Sequence, residues 1–175
     1  IFKIMIIQKV GIIGAGTMGN GIAQACAVVG IPVVMVDISE AAVAKGIATV
    51  SGSLDRLLKK EKISEADKAA ALSKIQGSTQ YQDLMSADLV IEAATENQDL
   101  KVKILKQLDG MLAPDVIIAS NTSSISITQL AAVTSRADRF IFAQRRALDH
   151  AKSVSTGFSG VIIAGFAGKP PSAKY

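Results

Sequence analysis

The 175-residue chain predicts an α/β fold, a doubly wound, mostly parallel sheet with a helical-hairpin insertion. Three observations carry this. Short aliphatic runs recur at residues 10–13, 33–36, 87–94 and 116–119, each too short for a helix of ordinary length. Stretches with apolar residues at helical spacing lie between them. Aromatic residues make up only 4% of the chain and Trp is absent, so small aliphatic side chains do the packing, as in a parallel sheet covered on both faces.

The first run, Val10-Gly11-Ile12-Ile13, hands over to glycines at Gly14, Gly16 and Gly19. A helical pattern follows at once through Met18, Ile22, Ala25, Cys26 and Val29. Gly14 permits a tight turn off the strand, Gly16 lets a pyrophosphate approach the backbone, and Gly19 lets the helix pack close. The stretch Gly14, Ala15, Gly16, Thr17, Met18 and Gly19 is therefore a candidate dinucleotide cradle, with free N–H groups and the helix dipole facing the phosphates. S-adenosylmethionine enzymes also use glycine-rich turns here; the three-glycine spacing favours a dinucleotide and a Rossmann-type fold.

The second run, residues 33–36, ends in Asp37. A dinucleotide site needs an acid at this strand tip, roughly 20 residues beyond the glycines, to accept a ribose 2′-hydroxyl. The carboxylate would repel a 2′-phosphate, so NAD is favoured over NADP. The competing reading makes Asp37 a surface residue that caps a turn before Ser39.

Ser39 and Glu40 start a helix through Val43, Ile47, Val50, Leu54 and Leu58. Ser64-Glu65-Ala66-Asp67 reads as a capping box for a second helix over residues 65–75. The two form an antiparallel hairpin that a plain dinucleotide fold does not need. Ser53, Arg56 and Lys60 share one face of its first helix. A charged face is ordinarily just solvated; the functional alternative is a grip on a phosphorylated substrate handle.

A short strand is expected over residues 74–78, a turn near Asp83, and a buried strand over residues 87–94 that opens onto Glu96 and Asn97. Asn97 caps a helix through Leu100, Ile104, Leu105 and Leu108, which Gly110 and Pro114 end. The strand at residues 116–119 opens onto a polar cluster, residues 120–126. A short helix at 128–133 and a strand from Arg139 complete the pattern. Gly14, Asp37, Glu96 and the polar cluster all fall at the carboxyl edge of the sheet, where such folds bind ligands.

Charge mapping argues against a nucleic-acid role. The net charge is +4, yet residues 1–141 hold 14 basic and 14 acidic residues. The excess lies in residues 142–175, with five basic residues and one acid, Asp149. Cys26 and His150 are each alone, which excludes an internal disulfide and a cysteine zinc cluster and weakens a histidine-rich site. No apolar run reaches membrane-span length and the apolar start is too short for a signal peptide. The reading is a cytoplasmic protein, with Met5 as the natural start.

GIIGAGTMGNGIAQ, DLVIEAATEN, LKVK and ASNTSSISIT together resemble the NAD-binding domain of the 3-hydroxyacyl-CoA dehydrogenase family, most of all its bacterial 3-hydroxybutyryl-CoA branch. The resemblance runs over about residues 7–141. It implies that residues 14–19 hold the pyrophosphate, Asp37 the adenosine ribose, and Glu96 and Lys101 the nicotinamide half. Ser123 matches the serine that bonds the substrate oxygen beside the nicotinamide, and Ser53 and Lys60 match coenzyme A contacts. The implied reaction moves a hydride between C3 of a 3-hydroxyacyl-CoA and NAD, while a histidine held by a glutamate takes the hydroxyl proton.

The match breaks after Ile141. The family continues Arg-Phe-Ile into Gly-x-His-Phe-Phe-Asn-Pro, whereas this chain places Gln144 where the histidine belongs. Glutamine does not titrate and cannot act as general base. His150 lies in a different local frame, and residues 142–175 contain no Glu to hold it. The family's C-terminal helical domain, which closes over the substrate and carries the dimer surface, has no counterpart. Residues 1–141 are thus expected to form the NAD-binding domain and 142–175 a divergent tail, with a short helix at 142–154 and a strand at 160–164. Loss of match together with a charge shift points to a frame change or truncation in the coding sequence. Two alternatives stay open: a non-catalytic NAD-binding fragment, or another Rossmann hydroxyacid dehydrogenase.

Overall fold

The computed structural model describes residues 7–122, 124–143 and 163–166. In chain order they form β1 (Val10–Ile13), α1 (Thr17–Val28), β2 (Val33–Val36), α2 (Glu40–Lys59), α3 (Glu65–Ser73) and β3 (Ile75–Ser78). A 3₁₀ turn at Tyr81–Ser86 leads to β4 (Leu89–Glu92), α4 (Gln98–Met111), β5 (Ile117–Ser120) and α5 (Ile127–Ala132). A 3₁₀ turn at Ala137–Arg139, β6 (Phe140–Ala143) and β7 (Ile163–Phe166) follow.

The strands lie in the order β3-β2-β1-β4-β5-β6-β7. The first six are parallel and β7 pairs antiparallel with β6. Winding runs outward one way from β1 to β3 and the other way from β4 to β6. The crevice where it reverses lies between β1 and β4, beyond their carboxyl ends. Every residue of β1, β2 and β4 is buried, which explains runs without alternation.

Period-two geometry deals these side chains to two cores. Val34, Val36 and Val90 face Leu105, Leu108 and Phe140 on one side. Val33, Met35 and Ile91 face Ile22, Ala23 and Cys26 of α1 on the other. A third cluster, Ala27, Val50, Leu54 and Ala71, glues the hairpin to α1. The 20-residue α2 is about 30 Å long, while a four-residue strand spans about 13 Å. The hairpin therefore overshoots the sheet at its amino-terminal edge, and α3 brings the chain back to β3.

The expected caps form. Ser39 accepts from the Ala42 N–H at 3.2 Å, Asn97 from Leu100 at 2.9 Å, and Ser64 and Asp67 complete the capping box. Most strand and helix ends fall within one or two residues of expectation, and three differences have a visible cause. The second hairpin helix stops at Ser73, because the Lys74 N–H turns back onto the Ala71 and Leu72 carbonyls and Ile75 enters β3. β4 begins at Leu89 rather than residue 87, because the Asp88 carboxylate clips the Gln8 and Lys9 N–H groups at 2.7 and 2.9 Å. Phe142 and Ala143 belong to β6 and not to a helix, since Phe142 registers with Ser120 of β5. The rest of that expected helix lies outside the described residues. Of the expected strand at 160–164, Ile163 and Ala164 are in β7 and the others lie outside the described residues.

Arg136, only 5% exposed, closes the far end of α4. Its guanidinium donates to the Asp109 carboxylate at 2.7 Å and to the carbonyls of Asp109, Leu112, Ala113 and Val116. A helix end and the following turn present such carbonyls, and of these Ala113 also accepts from the Val116 N–H at 3.1 Å. Burial pushes the Asp109 carboxyl up, but the Ser135 N–H and Arg136 outweigh it and hold the group below the ordinary carboxylate range.

This packing sets three expectations. Arg136→Met removes the guanidinium from the Asp109, Leu112 and Val116 carbonyls and leaves the Asp109 carboxylate to Ser135 alone, and is expected to lower unfolding free energy by about 2 kcal/mol or more in urea titrations. Because the folded Asp109 carboxyl titrates low, its contribution is complete above about pH 4 and disappears as pH falls through the folded value; Asp109→Asn should flatten that part of the acid unfolding curve. Cys26 is fully buried, and burial lifts its thiol to about 12. Thiol reagents at neutral pH should therefore modify it only at the rate of unfolding.

Candidate cofactor site

The glycine turn divides its three tasks as the spacing implies. Gly14 sits at φ +100°, and a Cβ there would lie 2.6 Å from the Ala93 carbonyl oxygen. A Cβ on Gly19 would lie 1.7 Å from the Gly14 oxygen, so only glycine lets α1 rest on the turn. Gly16 differs: a Cβ there meets nothing within 4 Å. The protein itself has room for a side chain at Gly16, so the space it leaves open suits a ligand. No side chain caps α1 and its first turn holds no acid, whereas Ser39, Ser64, Asn97 and Ser126 cap the other four helices. Its dipole and first-turn N–H groups face that space and favour an anion.

The Asp37 carboxylate is occupied at the glycine turn and at its own strand end. Ser39 caps α2 without it. Asp37 instead accepts from the Ala15 N–H at 2.6 Å and the Ile38 N–H at 2.7 Å, which ties the tip of β2 to the glycine turn. It also lines a cleft of about 560 Å³ with Ile13, Gly14, Ile38, Tyr81 and Ile104. Ile38 is 96% exposed, an apolar wall that only a ligand would cover. Burial, then the carboxylates of Glu92 and Asp37, raise the Tyr81 phenol above its ordinary value, so it stays neutral.

A second cleft of about 230 Å³ lies across the ridge at the end of β4, lined by Thr17, Met18, Ala94, Thr95, Glu96 and Asn121. Ala94 and Thr95 belong to both clefts. Together they take an elongated ligand whose anionic centre meets α1. This donor set fits a dinucleotide: N–H groups for the phosphates, a carboxylate for ribose hydroxyls, and apolar walls for the flat ends.

Glu96 joins the polar cluster as expected. It accepts from the Thr122 hydroxyl at 3.0 Å and the Ser124 hydroxyl at 3.1 Å. Lys101 is placed differently from a direct ligand. It is fully buried, pairs with Glu92, and donates to the Asn121 carbonyl at 3.2 Å. Sequence reasoning missed Glu92 as a site residue. The available signal was an acid ending an aliphatic strand, with a lysine nine residues later on the next helix.

Ser53, Arg56 and Lys60 are not brought to these clefts. Ser53 lies about 20 Å and Lys60 about 30 Å along the α2 axis from its first turn. Ser123, Gln144 and His150 lie outside the described residues. Among the described residues no group of three His, Cys, Asp or Glu could hold a metal ion, and no helix is long and apolar enough to cross a membrane.

Comparison with known proteins agrees with this geometry. Residues 9–144 match the NAD-binding domain of 3-hydroxyacyl-CoA dehydrogenase. A 3-hydroxybutyryl-CoA dehydrogenase of Bradyrhizobium diazoefficiens is 48% identical over 136 residues, 78% of this chain and 46% of the relative. One from Clostridioides difficile is 41% identical over 134 residues, 77% of this chain and 48% of the relative. Among solved structures, (S)-3-hydroxybutyryl-CoA dehydrogenase from Ralstonia eutropha superposes with a TM-score of 0.78 at 75% identity, covering 79% of this chain and 49% of that one. The chain thus spans about half the length of these relatives. On this match over most of its length, the chain belongs to the 3-hydroxyacyl-CoA dehydrogenase family and carries its NAD-binding domain.

Proposed function

We propose that the chain is the cofactor half of a cytoplasmic NAD-dependent dehydrogenase acting on 3-hydroxyacyl-CoA thioesters, with 3-hydroxybutyryl-CoA the substrate its relatives' names suggest. The observation that carries this reading is the open position at Gly16, set between an uncapped helix and the Asp37 carboxylate. Bound NAD supplies a two-electron hydride acceptor, which the side chains of a protein cannot provide. Everything else falls to the chain.

The N–H groups of α1 hold the diphosphate. Asp37 accepts a ribose hydroxyl with the lone pairs that Ala15 and Ile38 leave free, and its charge disfavours a 2′-phosphate. Ile38 and Ile104 exclude water from the adenine end. Glu96, held by Thr122 and Ser124, shapes the nicotinamide end. Ser123 donates to the substrate oxygen. Ser53 and Lys60 meet the phosphorylated end of coenzyme A, whose long arm accounts for their distance from the clefts. Gln144 supplies no base, so proton removal from the hydroxyl needs a group from elsewhere.

A second reading has its own support. Gln144 stands where the family's histidine belongs, so the domain can bind NAD without turning substrate over, as a module that a base from another chain completes. Co-expression with the remaining half of a relative, followed by size-exclusion chromatography and assay, separates the two: activity only in the mixture favours the module.

Gly16→Val should still fold, since a Cβ there meets nothing within 4 Å, with only a small loss of stability from valine at the N-cap of α1. It should weaken NADH about tenfold or more in calorimetric titration, because the methyls fill the phosphate cradle. Unchanged NADH affinity would refute the site. Turnover of acetoacetyl-CoA by the chain alone should fall about 10²–10⁴-fold below that of a relative with the histidine; turnover at the relative's rate would sink the missing-base argument.

A further inference from the structure

Three polar side chains lie beneath the ridge that separates the two clefts. Glu92, Lys101 and Ser120 are fully buried. One Glu92 carboxylate oxygen accepts from the Lys101 ammonium and, at 2.8 Å, from the Ser120 hydroxyl. The other accepts from the Ala94 N–H at 2.9 Å. Lys101 also donates to the Asn121 carbonyl at 3.2 Å, and the Asn121 N–H donates to the Glu92 carbonyl at 2.8 Å.

Burying an ion pair sacrifices hydration that its mutual attraction barely recovers, and apolar residues of similar size are often as stable. A merely structural need is thus better met by leucine and methionine. What distinguishes this pair is where its bonds go. Ala94 lines both clefts and Asn121 lines the second, so the pair fixes both walls of the nicotinamide side. It is also neutral as a unit. The oxidised nicotinamide carries a positive charge and the reduced one none, so a lone charge below would bind one form better than the other.

We propose that Glu92, neutralised by Lys101, is a positioning residue for the nicotinamide half, setting the walls of its cleft and keeping its floor without net charge. This rests on the NAD reading above. The groups facing Glu92 are Lys101 from α4, Ser120 from β5 and Tyr81 from the 3₁₀ turn; its β1 neighbour, Ile13, is apolar. Lys101 is the one cation among them.

The test is calorimetric affinity for NAD+, NADH and ADP-ribose, which lacks the nicotinamide. It uses the wild-type chain, Lys101→Met and the double variant Glu92→Leu/Lys101→Met. In Lys101→Met the buried carboxylate has lost its cation. The preference for NAD+ over NADH should rise about fivefold, because the floor of the cleft no longer has a cation beside that carboxylate. The double variant carries no charge and should keep the wild-type ratio at every pH. It should bind both nicotinamide forms about tenfold more weakly relative to ADP-ribose, because the bonds to Ala94 and Asn121 are gone.

A wild-type ratio in Lys101→Met throughout about pH 6 to 9, or a double variant that binds all three ligands like the wild type, overturns the proposal. Circular dichroism identifies a variant that does not fold, and the other one then decides. If the wild type binds none of the three, the cofactor reading fails and takes this one with it. If the wild type binds and the ratio does not move, only the positioning role is lost.

Discussion

Where Gly19 rests on the carbonyl of Gly14 there is space for a hydrogen atom and nothing larger. That contact sets the seat of α1 on the end of β1. It fixes where the first-turn N–H groups point and therefore where an anion can bind. The turn is held from three sides. Val36 of β2 accepts the Gly14 N–H at 2.8 Å, Ala93 blocks any side chain on Gly14, and Asp37 accepts from Ala15. The cradle is thus a property of three adjacent strands, β2, β1 and β4, meeting at the switch point. The sheet order and the ligand position are one fact.

Much of this was legible in the sequence because it depends on local pattern. The aliphatic runs, the helix caps at Ser39, Ser64 and Asn97, and the tasks of Gly14 and Gly19 follow from spacing and backbone sterics. What the sequence concealed depends on contacts across the chain. Asp88 shortens β4 because it clips residues about 80 positions earlier, and no local window contains both partners. Glu92 read as one residue within an aliphatic strand, and its pairing with Lys101 and Ser120 appears only once β4, α4 and β5 are brought together. Phe142 followed a matched strand into a stretch of unfamiliar composition, where helical spacing suggested a helix; pairing with β5 carries it into the sheet.

The hairpin shows how length alone can place a function. Twenty residues of α2 exceed what the sheet needs, and the surplus carries Arg56 and Lys60 well past its amino-terminal edge. The cofactor crevice lies at the opposite edge. Residues matched to coenzyme A contacts and residues matched to NAD contacts therefore cannot meet one small ligand. The substrate proposed above, an acyl thioester of coenzyme A, is long enough to place a reacting end at one site and a charged end at the other.

Asp37 binds two requirements together. Its carboxylate bonds the Ala15 N–H within the cradle and lines the cleft where a ribose would lie. Replacing it to admit a 2′-phosphate removes the repulsion but also releases the turn that holds the diphosphate. Selectivity and affinity are coupled through one side chain, and a change aimed at the first acts on the second. A cofactor switch in this fold accordingly needs a new partner for the Ala15 N–H as well as a cation for the added phosphate. Asparagine at position 37 keeps an oxygen for that N–H and loses the charge, which makes it the substitution that separates the two effects.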